Sequence, residues 1–326
     1  MRYAVFAVLA AAIIIVGGAA VVIPQMVERK AGQVQIASKD ATLTVEELGL
    51  VSLPEALTNT PAENRQIIAE AKKPVFEFKS CTQDGVAGYE VRRICITADT
   101  TAVNITGNAI GIFDRITFND LQNVNIQGGS ITDLTALAPY TELKWLAIIS
   151  VKVGSYDGLE SLTKLEYLGL TDAKGFDLSR LANHTALTKL FLPGLQADTL
   201  DPLADLTNLA EIDLKDTQIG DFSALSQLPN LTFLALNNSN ISDLSPLQNL
   251  TKLQKLGLIS TPVTDLTPLK NLTDMTQLHL DGTNVADVVP LKGLTRLRVL
   301  HLDKTEVTDI APLAGMIEMW WLDLHS

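Results

Sequence analysis

The chain contains 326 residues, which is enough for one or two ordinary domains. Its formal net charge at pH 7 is −12 and its pI is about 4.8, so its surface repels phosphate backbones and anionic lipid headgroups. This charge excludes nucleic acid as an expected partner. The hydrophobic fraction is 47% but aromatic residues make up only 5% of the chain, which favours a core built from aliphatic side chains.

An uncharged apolar run, residues 4–23, lies near the start of the chain. As a helix it would be about 30 Å long, which is enough to span a bilayer. We expect a membrane anchor over residues 1–24, with a cleaved signal peptide as the alternative because Gly18, Ala19 and Ala20 are small enough for a cleavage site. Both predict that the rest of the chain lies in the periplasm or at the cell surface, or is secreted if the segment is cleaved.

The next two segments are predicted to be a tether and a cap. Residues 25–41 are polar with few large apolar side chains and suggest a tether, whereas residues 42–108 suggest an N-terminal cap. Capping boxes that begin at Thr44 and Thr60 predict two short helices, the second of which ends before Pro74.

The cap contains the only two cysteines of the chain, Cys81 and Cys95. Alternating apolar residues predict strands at 75–79 and 90–96, on either side of a glycine-containing loop. In an exported chain the two thiols most simply form one disulfide, which closes a ring of about 15 residues and stabilises by about 3 kcal/mol. The alternatives are two reduced thiols in the core, or pairing between chains.

A 22-residue unit, exemplified by residues 241–262, repeats through the rest of the chain. Nine copies follow one another without insertion, starting at residues 131, 153, 175, 197, 219, 241, 263, 285 and 307. A fixed short period indicates a solenoid, in which each copy buries its apolar face against its neighbours. Residues 109–326 are therefore predicted to form one elongated domain.

The apolar residues of one copy are spaced by threes and finally by two. They are Ile241, Leu244, Leu247, Leu250, Leu253, Leu256 and Leu258. The closing L-x-L predicts a short strand, and the spacing of three predicts a tight 3₁₀ or α-helical return.

The repeated phrase L-x-x-L-x-L-x-x-[NT]-x-I-x-D-L-x-P-L-x-x-L resembles the leucine-rich repeat of bacterial internalins, over about residues 100–326. The resemblance implies an α/β fold, a right-handed solenoid of short parallel strands with helical returns. It also implies a protein that binds rather than catalyses, with no cofactor. The sequence departs from the family at one column, here called the ladder, where asparagine is usual. Its residues are Val151, Ala173, Leu195, Thr217, Ser239, Thr261, Thr283 and Thr305.

The return of each copy begins with a polar residue, as in Ser245-Pro246, and a Ser, Thr or Asp cap before proline is typical of a helix start. The predicted caps are Thr135, Asp157, Ser179, Asp201, Ser223, Ser245 and Thr267.

Each strand presents alternate residues on the face of the sheet that points away from the core, here called the outer face, which the resemblance makes the concave side. Large apolar residues group at its N-terminal end and predict a binding surface for a macromolecule. This aromatic surface comprises Trp145, Ile149, Tyr167, Phe191 and Phe233. The alternative is that the cap or a loop covers it.

Two charged groups follow on the outer face. The first is interpreted as a solvated face and comprises Glu211, Asp213, Lys215 and Lys255. The second alternates imidazole and carboxylate and comprises His279, Asp281, His301, Asp303, Asp323 and His325. These six residues are weak candidates for a metal site, but a polar rim is the favoured interpretation because the spacing follows from the repeat. His184 occupies a core leucine position and is expected to be buried.

The sequence ends soon after the ninth strand, which predicts an open edge with Met316, Met319, Leu322 and Leu324 exposed. The edge would either fray in water or pair end to end as a homodimer. Our main hypothesis is an exported scaffold that binds a protein through the outer face, although a peptide or glycan ligand would fit as well. The alternatives are a metal-binding protein or metal-dependent enzyme, and a self-associating spacer.

Overall fold

The structure is a computed structural model that describes residues 29–30, 33–34, 36–37, 42–43, 79–83, 86–91 and 94–324. The predicted anchor or signal, most of the predicted tether and the two predicted cap helices lie outside these residues. Within the described part of the chain, no helix has the length and apolar character needed to cross a bilayer. The chain divides into two compact units, Met1–Glu77 and Phe78–Ser326.

The described part of the first unit consists of four two-residue strands. They are β1 (Arg29–Lys30), β2 (Gln33–Val34), β3 (Ile36–Ala37) and β4 (Thr42–Leu43). The first two pair antiparallel with each other, and so do the last two.

The second unit begins with a three-stranded antiparallel sheet of β5 (Lys79–Gln83), β6 (Val86–Val91) and β7 (Ile94–Thr97). The prediction of one strand over residues 90–96 is wrong, because this stretch contains the end of β6 and most of β7. Of the two glycines in the predicted loop, Gly85 lies outside the described residues and Gly88 lies inside β6. A Cβ at Gly88 would overlap the carbonyl oxygen of Ile96, so the glycine allows a close approach of β7 rather than a turn.

The predicted disulfide between Cys81 and Cys95 is present, with the two Cα atoms 5.8 Å apart. It joins β5 to β7, the two outer strands of this small sheet. The described cysteines therefore include no free thiol.

Fifteen further strands follow in chain order. They are β8 (Ala102–Ile105), β9 (Asn123–Gln127), β10 (Ser130–Ile131), β11 (Trp145–Ile149), β12 (Lys152–Val153), β13 (Tyr167–Leu170), β14 (Lys189–Phe191), β15 (Gln196–Thr199), β16 (Glu211–Asp213), β17 (Gln218–Asp221), β18 (Phe233–Ala235), β19 (Lys255–Gly257), β20 (Gln277–His279), β21 (Val299–His301) and β22 (Trp321–Asp323).

Eleven of these strands form one parallel sheet, which is the predicted solenoid sheet. Its order is β8, β9, β11, β13, β14, β16, β18, β19, β20, β21 and β22. From β9 onward the Cα partners on neighbouring strands are 22 residues apart, as Trp145 with Tyr167 and His279 with His301. Two short parallel pairs, β10 with β12 and β15 with β17, lie outside this sheet.

The returns are 3₁₀-helices. They are η1 (Gly107–Asp114), η2 (Thr135–Leu137), η3 (Leu159–Ser161), η4 (Leu178–Leu181), η5 (Asp201–Leu203), η6 (Ser223–Gln227), η7 (Ser245–Leu247), η8 (Thr267–Leu269), η9 (Val289–Gly293) and η10 (Ala311–Gly315). The repeat spacing of three residues favours this helix type because 3₁₀ geometry places residues i and i+3 on the same side.

The predicted helix caps are wrong in position, because six of the seven predicted residues lie inside the 3₁₀-helices and Asp157 lies two residues before the start of η3. In the copy around η7, Ser245 is itself the first helical residue, and its N–H donates to Asp243 Oδ1 at 2.8 Å. Asp265 accepts from Thr267 in the same way at 2.8 Å. The aspartate side chain is long enough to bond the amide two residues later, as in an Asx turn. Bonds from the Ser245 hydroxyl and N–H hold the pKa of Asp243 below its usual value.

The core is a continuous stack of the repeated apolar residues. Leu168, Leu190, Leu234 and Leu256 are fully buried on consecutive or nearby strands. Burying one leucine contributes about 1.5–3 kcal/mol, so the sheet is stabilised by many similar contributions. This regular core fixes the strand register and therefore the positions of the side chains on the outer face.

Candidate binding surface

The strand register aligns the outer-face residues into columns. Tyr167 lies between Trp145 and Lys189, and Gly169 lies between Ala147 and Phe191. Because adjacent strands are about 4.8 Å apart, neighbours in a column can touch. The columns therefore run as the repeat spacing predicts, and the side chains decide which neighbours make contact.

Three aromatic residues, Trp145, Tyr167 and Phe191, form a continuous row across β11, β13 and β14, here called the aromatic stack. The rings of Trp145 and Tyr167 are stacked, with centroids 3.4 Å apart and planes 3° apart. Tyr167 and Phe191 are tilted by 34° with centroids 5.4 Å apart. A Cβ at Gly169 would lie 2.6 Å from the Tyr167 hydroxyl oxygen, so the glycine leaves room for the Tyr167 side chain to extend over its own strand. Trp145 remains 40% exposed.

The other two residues of the predicted aromatic surface are not part of the aromatic stack. Phe233 lies on β18, and the intervening strand β16 places Glu211 and Asp213 between it and Phe191. Ile149 is half-buried at the end of β11, opposite Gln127. The alternative that the cap covers the aromatic surface involves residues largely outside the described part of the chain.

The charged residues next to the aromatic stack were predicted to be a solvated face, but they form ion pairs. Lys189 pairs with Glu211 at 2.8 Å, and Lys215 with Asp213 at 3.0 Å. Asp213 is only 8% exposed and also accepts the Lys215 N–H at 3.0 Å. Burial raises the pKa of Tyr167. The charge of Lys189 lowers this pKa, whereas the charges of Asp213 and Glu211 raise it further. The phenol therefore stays neutral and can donate a hydrogen bond.

A hollow beside the aromatic stack, lined in part by asparagine amides, was not predicted from the sequence. It has a volume of about 290 Å³ and is lined by Trp145 and by residues of β8 and β9 that include Asn104, Asn123 and Asn125. Asn125 Oδ1 is buried without a hydrogen-bond partner. The signal in the sequence is the twice-repeated V-N-I, which places asparagine at outward positions.

The second charged group is brought together only in part. His279 and His301 are partners on β20 and β21, with ring centroids 4.5 Å apart. Asp281 Oδ2 is 3.6 Å from His301 Nδ1. Asp303 and Asp323 are not part of this convergence, and His325 lies outside the described residues. Burial, followed by the charge of His301, lowers the pKa of His279.

Around the last described strand, Leu322 and Leu324 are exposed as predicted, and Trp320 is exposed as well. Trp320 is 70% exposed, and Leu322 and Leu324 are 36% and 43% exposed. Met316 is buried, and Met319 packs against the core, so the prediction that both are exposed is wrong.

His184 is fully buried, as expected for a residue at a leucine position. Its Nε2 lies 3.1 Å from the Leu159 carbonyl oxygen. Its Nδ1 is buried without a partner, and burial lowers the pKa of the imidazole.

Comparison with known proteins shows which solved structures this chain resembles. The chain is similar to the solved structure of internalin C2 from Listeria monocytogenes strain 4b F2365, at 36% identity and a TM-score of 0.50, over 52% of this chain and 74% of that one. It is also similar in fold to the internalin inlF of the same strain, at 22% identity and a TM-score of 0.53, over 72% of this chain and 91% of that one. No protein-family model and no curated protein matches the chain.

A parallel sheet with a 3₁₀ return in every 22-residue copy defines a leucine-rich-repeat protein. The chain belongs to the internalin-like family of leucine-rich-repeat proteins. Members of this family are binding scaffolds rather than enzymes, and this protein is such a scaffold. Internalin-like proteins are found at the cell surface or secreted, which is consistent with an extracytoplasmic location.

Proposed function

We propose that this protein is an exported scaffold that binds another protein through the aromatic surface on the outer face of its sheet. The observation that carries the proposal is the stacked pair Trp145 and Tyr167, extended by Phe191, on three adjacent strands. Grouped aromatic side chains with remaining exposure are typical anchors of protein interfaces.

The geometry favours binding because the anchors are ordered before a partner arrives. Trp145 and Tyr167 restrain each other by stacking, and Gly169 leaves Tyr167 a fixed place on the sheet. Side chains that are already ordered lose little conformational entropy when a partner binds. Less of the free energy gained by burying the aromatic stack against a partner is therefore lost to ordering its side chains.

The surroundings of the aromatic stack fit a partner with neutral polar groups at the rim of its interface. On one side the hollow is lined by the uncharged, exposed amides of Asn104 and Asn123. On the other side, Lys189 and Glu211 neutralise each other. A protein surface with an apolar centre and an uncharged polar rim would match both sides.

The test is a cross-linked pull-down from solubilised membranes with the full chain and with a triple variant, Tyr167→Glu, Phe191→Glu and Phe233→Glu. A matched control, Lys255→Glu with Gln277→Glu, changes the net charge equally on the same face. We expect the control to retain the partner and the triple variant to lose it, with both folded by circular dichroism. Equal capture by all three proteins would contradict the proposal. Loss of capture after glycosidase treatment of the extract would indicate a glycan ligand instead.

For the N-terminal part we propose the organisation inferred from the sequence: an anchor over residues 1–24, a tether over 25–41, a cap over 42–108 and repeats over 109–326. The uncharged run at residues 4–23 supports export. The intact mass of the protein recovered from a membrane fraction distinguishes the anchor from a cleaved signal peptide. A protein that starts after residue 20 and is found in the medium would exclude the anchor.

Self-association through β22 is a second candidate function. Trp320, Trp321 and Leu322 are 70%, 50% and 36% exposed on the outermost described strand. Such an apolar strand edge can pair with a second copy. Light scattering should then show a mass that rises with concentration in the wild type and stays monomeric in Leu322→Lys; a constant monomeric mass in both excludes this function.

A further inference from the structure

Two histidines and one aspartate converge on the outer face at the C-terminal end of the described sheet. His279 and His301 are direct partners on adjacent parallel strands, and Asp281 follows His279 on the same side of the sheet. One ligand atom from each of the three residues lies within 4.8 Å of the others. All three side chains are half-buried, so they are held by the sheet yet reachable from solvent.

The carboxylate of Asp281 is oriented by the backbone. Its Oδ1 accepts the N–H of Asp303 at 3.0 Å, which leaves Oδ2 facing His301 Nδ1 at 3.6 Å. A bond to the second oxygen of a carboxylate is the usual way in which proteins orient a metal ligand. The Asp303 carboxylate itself is 3.8 Å from Lys304 Nζ and does not join the cluster.

We propose that His279, Asp281 and His301 bind one Zn²⁺ ion, or a divalent transition-metal ion of similar preference. Two imidazoles and one carboxylate are a ligand set that zinc accepts, with water in the remaining position. Zinc ligands lie about 2.0–2.2 Å from the ion, which corresponds to about 3.3 Å between ligand atoms. Binding therefore requires side-chain rotations that bring the three ligand atoms, which lie within 4.8 Å of one another, to that spacing. Calcium and magnesium are disfavoured because they prefer oxygen ligands.

The electrostatic state of the cluster suits a cation. Asp281 supplies the negative charge beside the two rings. The ring of Trp321 lies 6.3 Å from that of His301, centroid to centroid, and screens one side of the cluster.

The test is isothermal titration of the tag-free full chain with Zn²⁺ near pH 7, with Ca²⁺ and Mg²⁺ as comparison ions. We expect saturable binding of one zinc ion per chain and no binding of the comparison ions. His279→Ala and Asp281→Asn should each weaken zinc binding by about 100-fold or more, because each removes a direct ligand. Co²⁺ should give visible absorption bands in the wild type that both variants lose.

A control separates this site from general attraction between zinc and charged groups. Asp303→Asn keeps the N–H that orients Asp281 and removes only a nearby charge, so binding should stay within about threefold of wild type. No saturable zinc binding by the wild type, or equal losses in Asp303→Asn and Asp281→Asn, would overturn the proposal. Circular dichroism of each variant checks the fold.

Discussion

The copies before residue 217 and those from residue 217 onward close the turn after each strand differently. In four of the five later copies a threonine hydroxyl on the ladder bonds the carbonyl three residues earlier, as Thr261 does to Leu258 at 2.7 Å and Thr283 to Leu280 at 2.7 Å. In the fifth, the Ser239 hydroxyl accepts the Ile241 N–H at 3.5 Å. In the earlier copies the ladder is apolar, and Ala173 and Leu195 are fully buried without any such bond.

The comparison shows that the same backbone turn forms with either a hydroxyl or an apolar side chain at the ladder position. A left-handed residue precedes the ladder in both regions, as Ser150 with φ 53° and Ser260 with φ 56°. Where the ladder is apolar, hydrogen bonding is supplied in part by the short parallel pairs β10 with β12 and β15 with β17. The hydroxyl is therefore one way to satisfy the backbone and not a requirement of the fold.

Truncating a core leucine should have the largest effect, and the effect should be similar in both regions. Leu168 and Leu256 occupy the same repeat position and are both fully buried. We expect Leu168→Ala and Leu256→Ala each to lower the free energy of unfolding by about 2–5 kcal/mol. Urea unfolding followed by circular dichroism measures both. A loss below about 1 kcal/mol in one of them would show that the core differs between the regions.

Exchanging the ladder residues should separate the two kinds of closure. Leu195→Thr buries a hydroxyl and removes apolar volume, so it should cost about 2–4 kcal/mol. Thr261→Val removes the bond to Leu258 and should cost about 1–2 kcal/mol. The exposed Thr264→Val, at the start of the next copy, is the matched control and should change stability by less than about 0.5 kcal/mol. If Thr261→Val matched this control, the hydroxyl bond would contribute nothing to the difference between regions.

Replacing His184 by leucine should remove a pH dependence from the first region. The folded state holds the pKa of His184 below that of the unfolded chain, about 6.5, because the imidazole is buried. As pH falls below about 6.5 the unfolded state binds a proton first, so stability falls; above this pH the neutral imidazole costs nothing extra. His184→Leu should flatten this dependence between pH 7 and 5, measured by urea unfolding. An unchanged slope would assign the pH dependence to other groups.

The smallest predicted effect concerns the left-handed residue before the ladder. Lys304 adopts φ 54° although a lysine is disfavoured there. Lys304→Asn should raise the free energy of unfolding by about 0.5 kcal/mol, because asparagine accepts this conformation more readily. At the equivalent position of the preceding copy, Gly282→Ala should lower it by about 1 kcal/mol, since Gly282 has φ 65°. Thermal unfolding of both variants measures the pair, and effects of equal sign would contradict the strain argument.

The sequence by itself determined the repeat, the solenoid sheet and the outer-face columns. A 22-residue period allows one parallel register, and buried leucines such as Leu168 and Leu256 hold every strand in it. The disulfide could also be predicted, because Cys81 and Cys95 had no other partner in the chain. These features follow from periodicity or from counting, so they need no knowledge of side-chain conformation.

Only the tertiary structure decided which members of a column meet. The period puts His279, Asp281, Asp303 and Asp323 on one face, yet the Asp303 N–H orients Asp281 toward His301 while the Asp303 side chain faces Lys304. Trp145 stacks on Tyr167, but Phe233 is isolated from Phe191 by a charged strand. The repeat fixes Cα positions, whereas a long side chain chooses among several neighbours at similar distance, and that choice depends on contacts outside its own copy.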